Sequence, residues 1–395
     1  MLSRRKLLAG TAAGGAAAAL TPLWSRGSAA PAPASPQTCE LALENRSGGS
    51  LNAYVTGREF GTDRWILLRA DSSVHHLEEP GEVHTPLPVD CAIPVGSSTV
   101  VTLPRMYGAR IYFVAEDTLE FFVNPGPALV EPAFATDGDP NYHKTWSFCE
   151  FTFNDVQLFV NISYVDLVTG LPIGLTLDGD TSTTVAALPA GAVDGIAAGL
   201  RDQAAADGRP WDRLVLTGDN GGVLRCVSPQ ARDASAFGDY WNGYVDAVWQ
   251  KYAGTDLRVD IQGGRGVFTG RITGDVLTFD DGSTFGRPTA ADIFTCNSGP
   301  FANNPADTDV KKGILARLAA AFNRSTILDI ADQPNGSTTA DFYHGNTTNH
   351  WARLVHANSP IGYAFPYDDV CPDGEPDQSG AAFDGNPRRL TVHAG

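Results

Sequence analysis

Between about residues 37 and 175, apolar positions recur every second residue in short runs broken by Gly, Pro, Asn and Asp, the pattern of half-buried β-strands. It predicts strands over Leu41–Asn45, Ala53–Val55, Trp65–Leu68, Ser98–Leu103, Arg110–Phe113, Leu119–Phe122 and Glu150–Phe153. From about 176 to 255 the period becomes helical. Val193, Ile196, Ala197 and Leu200 fall on one face, and that run stops at Gly208 before Pro210. Trp241, Tyr244, Val245, Val248 and Tyr252 repeat the spacing, with short strands expected between the helices at Leu214–Leu216 and Val223–Cys226. Beyond 255 the two-residue period returns in Leu257–Ile261, Gly266–Ile272 and Val276–Phe279, with turns at Thr273-Gly274 and Asp281-Gly282. A further helix is predicted at about 308–322, where Ile314, Leu315, Leu318 and Phe322 share a face. The tail from 325 holds little periodicity and reads as loops.

The expected architecture is therefore mainly β with an α/β part. Residues 37–175 and 256–395 form one discontinuous β-barrel or sandwich, residues 176–255 a smaller mixed α/β domain, and a groove between two such bodies is a common ligand site. No internal repeat is present.

Charge narrows the function. With 28 Lys+Arg against 45 Asp+Glu the net charge is −17, which argues against nucleic acid as a partner, because phosphate binding needs clustered Lys and Arg. Neutral substrates stay open. At the amino terminus, Arg4 and Arg5 precede a weakly apolar Ala/Gly-rich run to Leu20 and small residues at Gly27, Ser28, Ala29 and Ala30. Residues 1–30 resemble a bacterial twin-arginine export signal and 31–36 a short linker. That run and every later one fall short of the roughly 20 apolar residues of a membrane span, so the mature protein is expected to be secreted, soluble and off the membrane. Cys39, Cys91, Cys149, Cys226, Cys296 and Cys371 are an even, widely spaced set without a CxxC pair. In an oxidising compartment they predict three disulfides of undetermined pairing.

The stretch Trp146-Ser-Phe-Cys-Glu150-Phe-Thr-Phe-Asn154 carries the candidate chemistry. Phe151 and Phe153 alternate with Glu150, Thr152 and Asn154, so one face is apolar and the other bears a carboxylate, a hydroxyl and an amide. A turn at Asn154-Asp155 pairs it with the next strand, where Asn161 and Ser163 extend the polar face while Leu158, Val160 and Ile162 join the apolar one. Such a stripe suits a neutral polyhydroxylated substrate, and a pair of carboxylates, one protonated and one ionised, splits glycosidic bonds. A regular hairpin would put Glu150 opposite Asn161 and leave Asp166 five residues further on, about 16 Å away and on the apolar face. If the two carboxylates act together, the strand has to end, bend or bulge between Ile162 and Asp166, or the two must lie on strands that do not pair as a simple hairpin.

Four motifs in order, Asn124-Pro-Gly-Pro-Ala-Leu-Val-Glu-Pro132, Asp139-Pro-Asn-Tyr142, Phe148-Cys-Glu-Phe-Thr152 and Leu158 through Asp166, together resemble glycoside hydrolase family 64, the β-1,3-glucanases that release laminaripentaose. The resemblance covers nearly all of the chain beyond the export signal. It implies a thaumatin-like β domain, an α/β domain, a wide groove binding β-1,3-glucan, and an inverting mechanism without metal or other cofactor. It also implies that Glu150 is the general acid, that Asp166 is the general base, and that Thr152 and Asn154 touch sugar. Phe159 stands where the family carries a tryptophan, which puts stacking on sugar there in doubt; with Asn161 it completes the expected substrate-binding set. Tyr142, Trp146 and Glu131 read as packing or turn residues. The chain is expected to act as a monomer. The alternative is a non-catalytic thaumatin-like protein that binds glucan or acts against fungi, for which a carboxylate pair would be superfluous.

Rival chemistries are weaker. No Gly-x-Ser-x-Gly elbow occurs. Asp178-Gly-Asp180-Thr-Ser182 opens like a calcium loop but lacks the sixth-position glycine and the closing glutamate. His344 and His350, six apart and followed by Trp351, do not have zinc spacing and read as a polar loop.

Overall fold

A computed structural model describes residues 34–219, 221–359, 361–376 and 378–395. The expected export signal and residues 31–33 of the expected linker lie outside these. Residues 35 and 36 are stitched down: Ser35 N–H donates to Asp155 O (2.9 Å), and Arg105 Nε to Pro36 O (3.1 Å). The chain divides into two compact units. One holds the described residues up to Val160 with 173–184 and 382–395, and the other holds 161–172 and 185–381.

The first unit is all β. Its C-terminal strand Arg389–Ala394 lies in the middle of a five-stranded sheet, parallel to Thr38–Asn45 on one side and antiparallel to Ile173–Asp178 on the other. Leu390, Val392 and Ala394 alternate inward against Leu41, Leu43, Leu175 and Leu177, so the two ends of the chain close one core. The larger sheet runs in the order Ala381–Asp384, Leu158–Asn161, Trp146–Phe153, Met106–Ala115, Leu51–Glu59, Trp65–Leu68, Val74–His76. Cys149, Phe151 and Phe153 are buried on one face of the Trp146–Phe153 strand, as the alternation predicted. A third, three-stranded sheet joins Thr85–Pro86, Phe122–Asn124 and Ala128–Val130.

The second unit is mixed. A three-stranded sheet (Leu167–Thr169, Val223–Val227, Val215–Thr217) packs with the helix Ala192–Asp207, and a five-stranded sheet centred on Val267–Thr273 packs with Asn242–Gly254 and Asp309–Asn323. Gly208 ends the first helix in the left-handed conformation, and Thr308 caps the last by accepting from Lys311 N–H (3.1 Å).

Several expectations are corrected here. The strands between 257 and 285 belong with the helices and not with the β unit, because Asn242–Gly254 and Asp309–Asn323 bury their apolar faces on them. The second unit therefore runs to residue 381 instead of 255. The tail holds the helix His350–Asn358, with Asn349 Oδ1 capping Ala352 N–H (3.1 Å) and Trp351, Ala352, Leu354 and Val355 buried. His350 is thus no loop residue. It is buried against Trp211 and Tyr240, and burial, with Arg353 beside it, pushes its pKa down to about 4. The three expected disulfides are not formed: Cys39, Cys91, Cys149, Cys226 and Cys296 are free, buried thiols. Each is absorbed singly as a small apolar residue, and desolvation pushes the Cys39 thiol up to about 11 and Cys149 and Cys226 up to about 12.

Trp351 is fully buried, and its indole N–H donates to Tyr164 O (3.1 Å), pinning the segment that leads to Asp166. Trp351→Ala is expected to cost about 3–5 kcal/mol, the usual range for emptying such a site. Urea unfolding of the variant checks this, and a loss under 1 kcal/mol would contradict the packing described.

Candidate active site

Register places the first cluster. Arg110, on the strand Met106–Ala115, is paired with Thr56 on one side and Glu150 on the other. Directly paired residues share a face of the sheet, so hydroxyl, guanidinium and carboxylate stand in one row. Tyr54, Tyr112 and Phe148 form the next row. Just beyond Arg110 the central strand bulges against both neighbours, between Phe151 and Phe153 on one and Thr56 and Arg58 on the other. Gly108 takes a left-handed φ of 52° at the bulge, and Gly57 lets the strands close up, since a Cβ there would lie 2.7 Å from Ala109 Cβ.

The row is tied together by one guanidinium. Arg110 donates from Nε and Nη2 to Glu150 Oε1, both at 3.2 Å, and from Nη1 to Glu131 Oε2 (3.2 Å) and the Tyr112 hydroxyl (3.3 Å). Glu131 Oε1 also accepts from Tyr112 OH (2.8 Å) and Thr56 Oγ1 (3.2 Å). The guanidinium carbon lies 4.4 Å from the centre of the Phe148 ring. The side chains of Arg110, Glu131 and Glu150 are only 10 %, 20 % and 21 % exposed, so solvent screens these charges little. Burial, and then the Glu131 carboxylate, push the Tyr112 hydroxyl well above the usual phenol range, leaving it a neutral donor.

The four motifs have separate structural duties. Asn124 to Pro132 is a hairpin turn followed by the strand Ala128–Val130, which delivers Glu131 to Arg110. In Asp139 to Tyr142 the Asp139 carboxylate accepts from Ala133 and Asn141 N–H (3.0 and 2.8 Å), and Asn141 O takes the Trp146 indole proton (2.9 Å). Phe148 to Thr152 is the Glu150 strand itself, with Thr152 half-buried on the Glu150 face. Asn154 spends its Oδ1 on the turn, accepting from Val156 and Gln157 N–H (2.8 and 2.9 Å). Counting from the Asn154 N–H to Gln157 O bond (3.0 Å) that closes this turn puts half-buried Phe159 beside Thr152.

The strand Leu158–Asn161 ends at Asn161, so no regular strand runs on to Asp166. Asn161 is buried, and its Oδ1 has no hydrogen-bond partner among the described residues. Asp166 is half-buried in a bend of the second unit, just before the strand Leu167–Thr169. Its carbonyl accepts from Ser228 N–H (2.9 Å), and Gln230 Nε2 lies 3.4 Å from its Oδ1.

Sequence reasoning passed over Arg110 and Tyr112 and read Glu131 as a turn or packing residue. An arginine inside the apolar run Ala109–Val114 was the available signal, because a buried guanidinium needs carboxylates. Asp178 and Asp180 engage Ser182 and Asn386, and among the described residues no cluster of three or more His, Cys, Asp or Glu could hold a metal ion.

Comparison with known proteins shows the family. The glycoside hydrolase family 64 β-1,3-glucanase model matches residues 37–394. A glucan endo-1,3-beta-glucosidase of Cellulosimicrobium cellulans is 32 % identical over 389 residues, covering 93 % of this chain. The chain spans 66 % of that relative's length. The crystal structure of a laminaripentaose-producing β-1,3-glucanase in complex with laminaritetraose is similar at 32 % identity and TM-score 0.77, over 91 % of this chain and 98 % of that one. A β-1,3-glucanase domain from Clostridium beijerinckii shares the fold at 20 % identity, TM-score 0.72, over 92 % of this chain and 100 % of that domain.

Proposed function

Because the chain belongs to glycoside hydrolase family 64, we propose that it is a secreted β-1,3-glucanase that cuts laminarin- or curdlan-type glucan by inversion and releases short oligosaccharides, chiefly laminaripentaose. The observation that carries this is Glu150, fixed by Arg110 on a face it shares with the Thr152 hydroxyl, in a chain matched to the family from end to end of its described residues.

In this reading Glu150 carries a proton and gives it to the glycosidic oxygen as the C–O bond breaks. Asp166 takes a proton from a water that attacks the anomeric carbon from the opposite face, and the product leaves with inverted configuration. An inverting pair stands about 6.5–9.5 Å apart, which leaves room for that water. Thr152, Asn154, Phe159 and Asn161 are proposed to contact sugar; the unsatisfied Asn161 Oδ1 suits a sugar hydroxyl, since a buried acceptor left unpaired is costly. The β unit is proposed to be thaumatin-like, the working chain a monomer, and residues 1–30 a twin-arginine signal removed on export.

Two measurements test this together. Incubation with insoluble β-1,3-glucan should release soluble oligosaccharide with the pentasaccharide predominant. Proton NMR of the first turnovers should show the α-anomer before mutarotation. β-Product appearing first would overturn the inverting assignment, and binding of glucan with no soluble product would favour the non-catalytic alternative.

A further inference from the structure

Glu150 and Glu131 share one guanidinium. Arg110, Glu131 and Glu150 place one guanidinium between two carboxylates in a poorly solvated place. The two oxygens of Glu131 accept from Arg110 Nη1, Tyr112 OH and Thr56 Oγ1. In the reading of Glu150 as general acid, Glu150 is the member of this pair that carries the proton. Arg110 and Tyr112 come from the neighbouring strand, Glu131 follows Ala128–Val130, Thr56 lies one strand further, and the same-face neighbours on its own strand are the uncharged Phe148 and Thr152. The strand Leu158–Asn161 adds no titratable side chain.

We propose that Glu131 is a positioning residue for catalysis: it holds the charge of Arg110, so that Arg110 orients Glu150 by hydrogen bonds without stripping it of the proton it must donate. This rests on the reading of Glu150 as the general acid.

Glu131→Gln takes a carboxylate away from Arg110, so the guanidinium acts more strongly on Glu150. That favours the Glu150 carboxylate, so its proton is lost at lower pH. The alkaline limb of the kcat/KM profile on glucan should move down by about one to two pH units, the effect of one unit charge a few ångströms away in a partly buried site. The loss should be confined to the alkaline side, about 10- to 100-fold above the limb. Glu131→Asp, which keeps the charge, should restore much of the shift. With an aryl laminarioside whose leaving group needs no proton, the displaced limb should vanish, which a merely structural role would not produce. An unmoved limb in a folded Glu131→Gln protein, or an equal loss at every pH, overturns the proposal. If Glu131→Gln does not fold, Tyr112→Phe removes one donor from Glu131 and should move the limb the same way by less; no movement there overturns it equally. Glu150→Gln is run in parallel. Its inactivity beside an unmoved Glu131→Gln limb refutes only this proposal, whereas its retained activity refutes the acid assignment and this proposal together.

Discussion

Glu150→Gln is expected to lower turnover on glucan by roughly 10²–10⁴, the usual worth of a general acid, while glucan is still bound. The amide oxygen can keep accepting from Arg110 Nε and Nη2, as Glu150 Oε1 does at 3.2 Å, and the Arg110–Glu131 pair stays electrically neutral, so the sheet should fold as before. What is lost is the proton for the departing glycosidic oxygen. An aryl laminarioside with an activated leaving group should therefore recover much of the rate. Steady-state kinetics on both substrates, with a melting curve to verify the fold, reads the result. Retention of most activity on glucan would reduce Glu150 to a structural partner of Arg110.

Asp166→Asn should lose a comparable factor for a different reason, because the attacking water no longer has a base. A melting curve verifies the fold; the Ser228 N–H bond to the carbonyl of residue 166 is kept, and the amide oxygen of Asn can accept from Gln230 as the carboxylate does. The activated aryl substrate should not rescue this variant, since water must still be deprotonated. Azide, which needs no base, should enter from the face that water uses and give an α-glycosyl azide. A β-azide, or near-normal hydrolysis, would remove Asp166 from the mechanism. Opposite responses to the two probes separate acid from base, which loss of activity alone does not.

Much of this was legible because local periodicity is written in neighbouring residues. Trp65–Leu68 and Val276–Phe279 form the strands that the alternation predicted, and Ala192–Asp207, Asn242–Gly254 and Asp309–Asn323 are the helices that the 3.6-residue spacing predicted. The helix His350–Asn358 was obscured because its apolar face is short and its flanks carry histidines; only the Asn349 cap and the Trp351, Leu354, Val355 spacing announced it. The strand Arg389–Ala394 alternates clearly, yet nothing local says that it lies between Thr38–Asn45 and Ile173–Asp178.

By itself, the sequence determined the alternating faces that set Glu150 and Thr152 apart from Phe151 and Phe153, and the four motifs that mark the family. The tertiary structure decided that the strand ends at Asn161, and that Asp166 is held through Leu167, paired with Val227, and through the Ser228 N–H on its carbonyl. It also kept Cys39, Cys91, Cys149, Cys226 and Cys296 as single buried thiols where the even number of cysteines had suggested bonds, and it brought Glu131 from another sheet onto Arg110. The division has one physical cause. Side-chain direction along a strand or helix follows from backbone geometry over a few residues, whereas the pairing of charges and thiols depends on which distant segments fold against each other. A buried Arg110 requires carboxylates, but only the folded sheets choose Glu131 and Glu150 to supply them.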